Sequence, residues 1–278
     1  MTEHPATETS SAESPAAALP SLAFSGDSRA GAALADVRTA LVFFAHPDDV
    51  DFGAGGTVAC LARRGVKVVY CVMTDGDAGG FDDDSRAAIV ETRRAEQRRA
   101  AEIAGAADVV FLGERDGYLA PSHELIGRVV ALMREHRPQI VFSLHPERAW
   151  SSLHRSHPDH LACGEIVTRA AFPAVENNYA YEHLRAQGLE AYRLPWLFLF
   201  AGPDERTNLR VDVTEAVDTK LRALDVHLSQ HPDPEAMRET VRAQLRASAD
   251  SGQWAAPVTA AEEFHAVCVN GPGTFAGF

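Results

Sequence analysis

Two stretches of this chain hold residue types that can bind a metal ion and activate water on it. They are Ala45-His46-Pro47-Asp48-Asp49 and, far downstream, His157-Pro158-Asp159-His160. Together they offer two imidazoles and a carboxylate as ligands, with a further carboxylate and a further imidazole to spare. That is the inventory of a mononuclear zinc hydrolase: three protein ligands, one open position, a base and an acid. His46 and Asp49 converge on one ion if the loop turns, and both are ordinary zinc ligands. Asp48 lies between them and points elsewhere, which suits a base. His157 and His160 repeat the three-residue spacing, so one closes the metal site and the other faces substrate. The chain has 12 His and 15 Pro, so His-Pro-Asp alone says little. A third copy, His231-Pro232-Asp233-Pro234, reads as a turn into a helix. For His46 to Asp49 the bland alternative is an acidic turn, but adjacent carboxylates repel without a cation.

The elements that must position these residues are legible around them. Thr39 to Ala45 is a short apolar run of the length and type of a buried strand. Gly53, Gly55 and Gly56 follow, then a helix from Thr57 closed by Gly65. His46 to Asp49 therefore occupy a strand-to-helix loop at the carboxyl end of a parallel strand, where α/β sheets place their chemistry. Pro47 stiffens that loop. Further strands are expected at Val68–Thr74, Val109–Leu112, Ile140–Leu144, Trp196–Phe200 and Asn208–Thr214, the last ending in a Thr214 N-cap. Helices are expected at Glu91–Gly105, Ser122–His136, from His160 onward, and at Val217–Leu228. Alternating strands and helices give an α/β fold, a mostly parallel sheet with helices on both faces.

The paired motifs and the glycine-rich helix start resemble the LmbE/PIG-L family of zinc-dependent de-N-acetylases, over roughly Arg38 to Gln230. Members of that family remove acetyl from N-acetylglucosamine units of thiol precursors, phosphatidylinositol glycans and antibiotics. The resemblance implies a Rossmann-like architecture with the site above the strand ends. It implies zinc held by His46, Asp49 and His160, with Asp48 as general base. Protonated His157 would be the acid or oxyanion stabiliser, and Asp159 would orient a neighbouring imidazole. The proton for the leaving amine comes from Asp48 or His157. The family often has Glu directly after the Asp pair; here Val50 stands there and Asp51 follows. A site of two His and one Asp also accepts Fe2+.

Weaker matches concern substrate. Arg86, beyond the acidic, glycine-rich loop at Asp75 to Gly80, matches a sugar-contacting Arg of the family. Asp116, in Gly113-Glu114-Arg115-Asp116-Gly117, matches a sugar-hydroxyl-binding Asp, although Asp-Gly is also a turn. His227, in His227-Leu228-Ser229-Gln230, resembles a segment that approaches the site. His145 and His154 are expected to line its mouth. Arg93, Arg94 and Glu96 read as surface partners on a helix.

Composition bounds the rest. In 278 residues one α/β domain is expected. The first 35 residues or so, rich in Ala, Ser, Thr, Glu and Pro, read as a disordered tail without a secretory signal. Residues 36–278 form the domain, and the last 25 a packing tail or a lid. Cys60, Cys71, Cys163 and Cys268 are scattered and read as reduced residues of a cytoplasmic protein. No stretch is long enough to span a membrane. A formal net charge of −13 argues against nucleic acid and anionic membranes as partners. The expected partner is a small amino-sugar substrate; association with further copies of the chain stays open. The expected activity is removal of acetyl from an N-acetylglucosamine conjugate. The same metal chemistry would serve an amidase cleaving a larger acyl group or thiol conjugate. A non-catalytic zinc- or sugar-binding protein would not need both Asp48 and His157. A nucleotide-binding oxidoreductase fits poorly, because Gly53-Ala54-Gly55-Gly56 lacks GxGxxG spacing and follows two acids.

Overall fold

The computed structural model describes residues 22–79 and 85–271. Eight strands form one sheet in the order β1-β7-β8-β6-β5-β2-β3-β4. They are β1 (Phe24–Gly26), β2 (Thr39–Phe44), β3 (Lys67–Thr74), β4 (Asp108–Glu114), β5 (Ile140–Leu144), β6 (Trp196–Phe200), β7 (Leu209–Asp212) and β8 (Ala261–Cys268). The run β4-β3-β2-β5-β6 is parallel; β8, β7 and β1 extend it antiparallel. The helices are α1 (Ser28–Asp36), α2 (Asp49–Gly53), α3 (Gly55–Arg63), α4 (Arg86–Ala104), α5 (His123–His136), α6 (Pro158–Arg169), α7 (Glu182–Ala186), α8 (Val217–Leu224) and α9 (Pro234–Asp250).

The central strands are buried along nearly their whole length, as parallel strands covered on both faces must be. The chain runs outward from β2 through β3 to β4, then returns to the other side of β2 for β5 and β6. The carboxyl ends of β2 and β5 thus flank the switch point, the crevice where such sheets bind ligands. The first motif follows β2 and the second lies beyond β5, so the topology brings them together.

Local chemistry accounts for the helix starts. Ser85 caps α4 by accepting the Ala88 amide, and Gly105 closes it at φ 83°. Ser122 caps α5. His157 caps α6, with Pro158 in the first turn. Asp233 caps α9, as expected of the third His-Pro-Asp.

The structure corrects several expectations. The expected disordered tail, residues 1–35, instead contains β1 and nearly all of α1. Asp27 caps α1 by accepting the amides of Arg29 and Ala30, and Leu34 is buried. A three-residue strand paired with distant β7 leaves no periodic signal. The C-terminal region is no appendage: β8 is inserted between β6 and β7. Helix α4 starts at Arg86, ahead of the expected start at Glu91. Thr214 is no cap: Asp212 accepts its amide at 2.9 Å, and a short 3-10 turn precedes α8. Helix α8 ends at Leu224, short of Leu228. Residues 1–21, 80–84 and 272–278, with the parts of the tail, loop and lid expectations that fall there, lie outside the described residues.

Candidate active site

Beyond Phe44 the chain turns back over the end of β2. Asp49 Oδ2 accepts the backbone amides of Ala45 at 3.1 Å and His46 at 2.7 Å. The turn puts Asp48 at φ 112°, a region non-glycine residues rarely adopt. Such a conformation costs on the order of 1–3 kcal/mol and persists only when surrounding structure over-determines it. Helix α4 does so. Gln97 Oε1 accepts the Asp48 amide at 2.7 Å, and buried Arg93 donates to the carbonyls of Pro47 at 2.7 Å and Gly76 at 3.0 Å.

The second motif meets this loop from α6. His160 Nε2 lies 3.0 Å from Asp49 Oδ1, and His46 Nδ1 lies 3.4 Å from Asp49 Oδ2. Ligand atoms of the three residues fall within 4.8 Å of one another. The remaining ring nitrogens have their own acceptors. His46 Nε2 is 3.2 Å from Asp159 Oδ2, and His160 Nδ1 is 3.4 Å from the Arg155 carbonyl. With Nε2–H of His46 and Nδ1–H of His160 donating outward, the other nitrogens present lone pairs to a common point. Metal-binding histidines are ordinarily held in this way. Asp159 is itself fixed, accepting the amides of Gly117 at 2.7 Å and Leu119 at 3.2 Å. The imidazole it orients is His46.

The electrostatics ask for a cation. Burial alone would lower the His46 pKa, yet Asp49, Asp116 and Asp159 raise it to about 12. Burial works against ionised Asp49, but His160 and His46 hold its pKa well below the usual carboxylate range. Carboxylates crowd one imidazole here, and an oxygen donor with two nitrogen donors suits a divalent ion such as zinc. The residues present therefore fit a metal.

Around the trio, Asp48 Oδ2 lies 3.6 Å from Arg93 and 3.3 Å from His231 Nε2. His157 Nδ1 accepts the Asp159 amide at 3.2 Å, so in the neutral ring Nε2 carries the proton. Burial, then the charge of His46, lowers the His157 pKa. With Nδ1 engaged by that amide, Nε2–H is the donor the ring turns outward. Asp116 is buried, with Oδ1 3.2 Å from His46 Nε2. Arg86 sits at the rim, half-exposed and paired with Asp77, whose other oxygen accepts the Asp116 amide at 2.8 Å.

Other expected site residues are elsewhere engaged. His227 is 1% exposed and bonded to Asp51 at 2.9 Å, so substrate cannot reach it in this structure. Asp51, the displaced acid after Val50, is fully buried there with Gln97. His145 is buried too, 3.0 Å from His265 of β8, and does not line a mouth. The side chain of His154 lies outside the described residues.

Sequence reasoning missed Arg93, Gln97 and His231. Arg93 was read as a surface partner, yet it is 4% exposed and grips the Asp48 loop. Its helix is charged on every side, so periodicity hid which residue turned inward. His231 follows the resembling His227-to-Gln230 segment directly, and that proximity was the available signal.

Alignment places the chain among known proteins. Residues 41–171 match the family described as PIG-L, GlcNAc-PI de-N-acetylase. Diacetylchitobiose deacetylase of Thermococcus kodakarensis is 32% identical over 199 residues, 71% of this chain and 72% of that protein. The "Probable N-acetyl-alpha-D-glucosaminyl L-malate deacetylase 2" of Bacillus cereus is 31% identical over 75% of this chain and 90% of its own length. In structure, the N,N'-diacetylchitobiose deacetylase of Pyrococcus horikoshii superposes with a TM-score of 0.76 at 28% identity, covering 84% of this chain and 85% of that one.

Proposed function

The chain belongs to the PIG-L family of de-N-acetylases, amide hydrolases, and on that premise we propose that it removes acetyl from an N-acetylglucosamine conjugate using zinc held by His46, Asp49 and His160. The observation that carries the reading is the convergence of those three side chains at the switch point, with Asp48 one residue from a ligand. The conjugates in the relatives' names, chitobiose and glucosaminyl malate, share the N-acetylglucosamine unit and differ in what it is joined to.

Bound zinc would polarise the amide carbonyl and acidify the attacking water. The chain's own residues supply the rest. Asp48, held by Arg93 and His231, accepts the proton of the water as it adds to the carbonyl carbon. His157, capped onto α6 through Nδ1, donates from Nε2 to the oxygen that gains charge. The carbon–nitrogen bond then breaks, and the proton on Asp48 passes to the leaving amine. Asp159 keeps His46 in the tautomer that frees Nδ1. Asp116, with Arg86 beyond it, receives sugar hydroxyls on the side away from Asp49.

The binding modes of rival classes lack support. At the start of α3, where a pyrophosphate would sit, the amides of Gly56 and Thr57 donate to Glu262 at 2.8 and 2.7 Å. A Cβ at Gly56 would come within 3.0 Å of that carboxylate, which accounts for the glycine. Among the described residues no helix is long and apolar enough to cross a membrane. The four cysteines are free, which fits a reducing, cytoplasmic setting.

The test is acetate release from a panel of N-acetylglucosamine conjugates, with protein loaded with one equivalent of zinc against chelated protein. Release that depends on zinc supports the reading. Zinc binding without acetate release from any conjugate overturns it.

A further inference from the structure

Next to the metal ligands, on the β6 side, lies a cavity of about 470 Å³. Asp49 and His160 form one end. Phe52, Phe200, Val241 and Leu245 form much of the wall, and Leu144 joins them from β5. Asp48, Asp116 and His157 do not line it. An acetyl methyl is about the size of one water, roughly 30 Å³. The cavity is roughly fifteen times that and falls within the range of small-molecule pockets.

Its lining offers a ligand no free charge. Lys220 is paired with Glu262 at 2.7 Å, Arg155 with Asp204 at 2.7 Å, and Glu263 with Arg210 at 2.9 Å. A Cβ at Gly53 would stand 2.2 Å from the Phe200 ring, so the ring packs directly against the backbone that follows the Asp49 loop. An uncharged, apolar ligand is what such walls accept.

An amide has two halves that diverge from the carbon under attack. The amino-sugar half carries hydroxyls that need polar partners, which Asp116, with Arg86 beyond it, supplies on the His46 Nε2 side of the trio. The acyl half is then directed to the other side, into the cavity. We propose that this cavity is an acyl subsite, and that the enzyme hydrolyses amino sugars bearing N-acyl chains of medium length better than it hydrolyses the acetamide. The inference rests on the amide-hydrolase reading above and changes its substrate class. The reaction balances as before: water adds to the acyl carbon, Asp48 takes its proton, the carbon–nitrogen bond breaks, and a fatty carboxylate and a free amino sugar leave.

The experiment compares acetyl, butanoyl, hexanoyl and octanoyl amides of one glucosamine glycoside, using zinc-loaded protein and an assay for the freed amine. Burying each added methylene is expected to raise kcat/KM about three- to fourfold until the chain fills the cavity. Leu245→Trp, and Gln244→Trp at the exposed edge of the same helix, should each lower the ratio of octanoyl to acetyl kcat/KM at least about tenfold. Octanoate should inhibit more strongly than acetate, and less so in either variant. If acetyl is cleaved and longer chains bring no gain, the acyl subsite is overturned and the deacetylase stands. A gain that both variants leave untouched overturns the subsite as well. If octanoyl is cleaved and acetyl is not, the subsite is supported and deacetylation is overturned. If no amide is cleaved, both fall.

Discussion

On the β4 side of the His46–Asp49–His160 trio, the neighbours are carboxylates, imidazoles and the Arg93 guanidinium; on the β6 side they are rings, branched chains and charges already paired. The two sides also differ in how they are held. The polar side is fixed by hydrogen bonds from one helix, α4, onto a strained loop. The apolar side is fixed by packing of α9 and β8 and by one buried ion pair, Lys220–Glu262. The contrast teaches that reactivity and size selection are built from different materials. A proton acceptor must be aimed to within a fraction of an ångström, which directional bonds provide. An acyl chain needs only volume and dry walls.

That division predicts where damage falls. The largest effect is expected at the ligands both sides share: His46→Ala should abolish retention of zinc through desalting and all acetate release, checked by metal analysis beside the assay. Zinc retained at one equivalent would remove His46 from the ligand set. On the polar side, Asp48→Asn should keep zinc and lose turnover by about 10²–10⁴-fold. Turnover near wild type would show that the aimed loop does not hold the base. On the apolar side, Lys220→Met leaves Glu262 buried without its cation, and should lower unfolding free energy by about 3–5 kcal/mol in denaturant titrations. An unchanged midpoint would mean that packing alone holds that wall. Asp159→Asn weakens the acceptor for His46 Nε2, and zinc affinity measured by chelator competition should fall by about 10–100-fold. The smallest change is expected for His231→Gln: kcat down severalfold with KM kept, since Gln still donates toward Asp48. A rise in KM with constant kcat would place His231 on substrate instead of on Asp48.

Legibility followed signal type. His46, Asp48, Asp49, His157, Asp159 and His160 stood out because metal and proton chemistry demands particular residue types at short spacings. The central strands stood out because two-sided burial makes continuous apolar runs. Arg93 did not, since one inward-turned charge on a charged helix breaks no pattern. His227 misled for the converse reason: its neighbours matched a segment near the site, but its ring turned to Asp51, and direction is not written in spacing. The strand β8 and the pair β1–α1 were lost because their partners lie far along the chain, and Ala261 to Cys268 is too mixed to show a period.

By itself, the sequence determined the reaction class, the two motifs that supply candidate donors and the parallel core, because each rests on residue identity and local order. The tertiary structure alone decided which imidazole Asp159 orients, which tautomer His157 adopts, which helix clamps Asp48, and that an apolar cavity lies beside the ligands. Those depend on where separate segments meet in space, and a meeting of β8, α9 and the β2 loop is fixed only when the whole chain has packed.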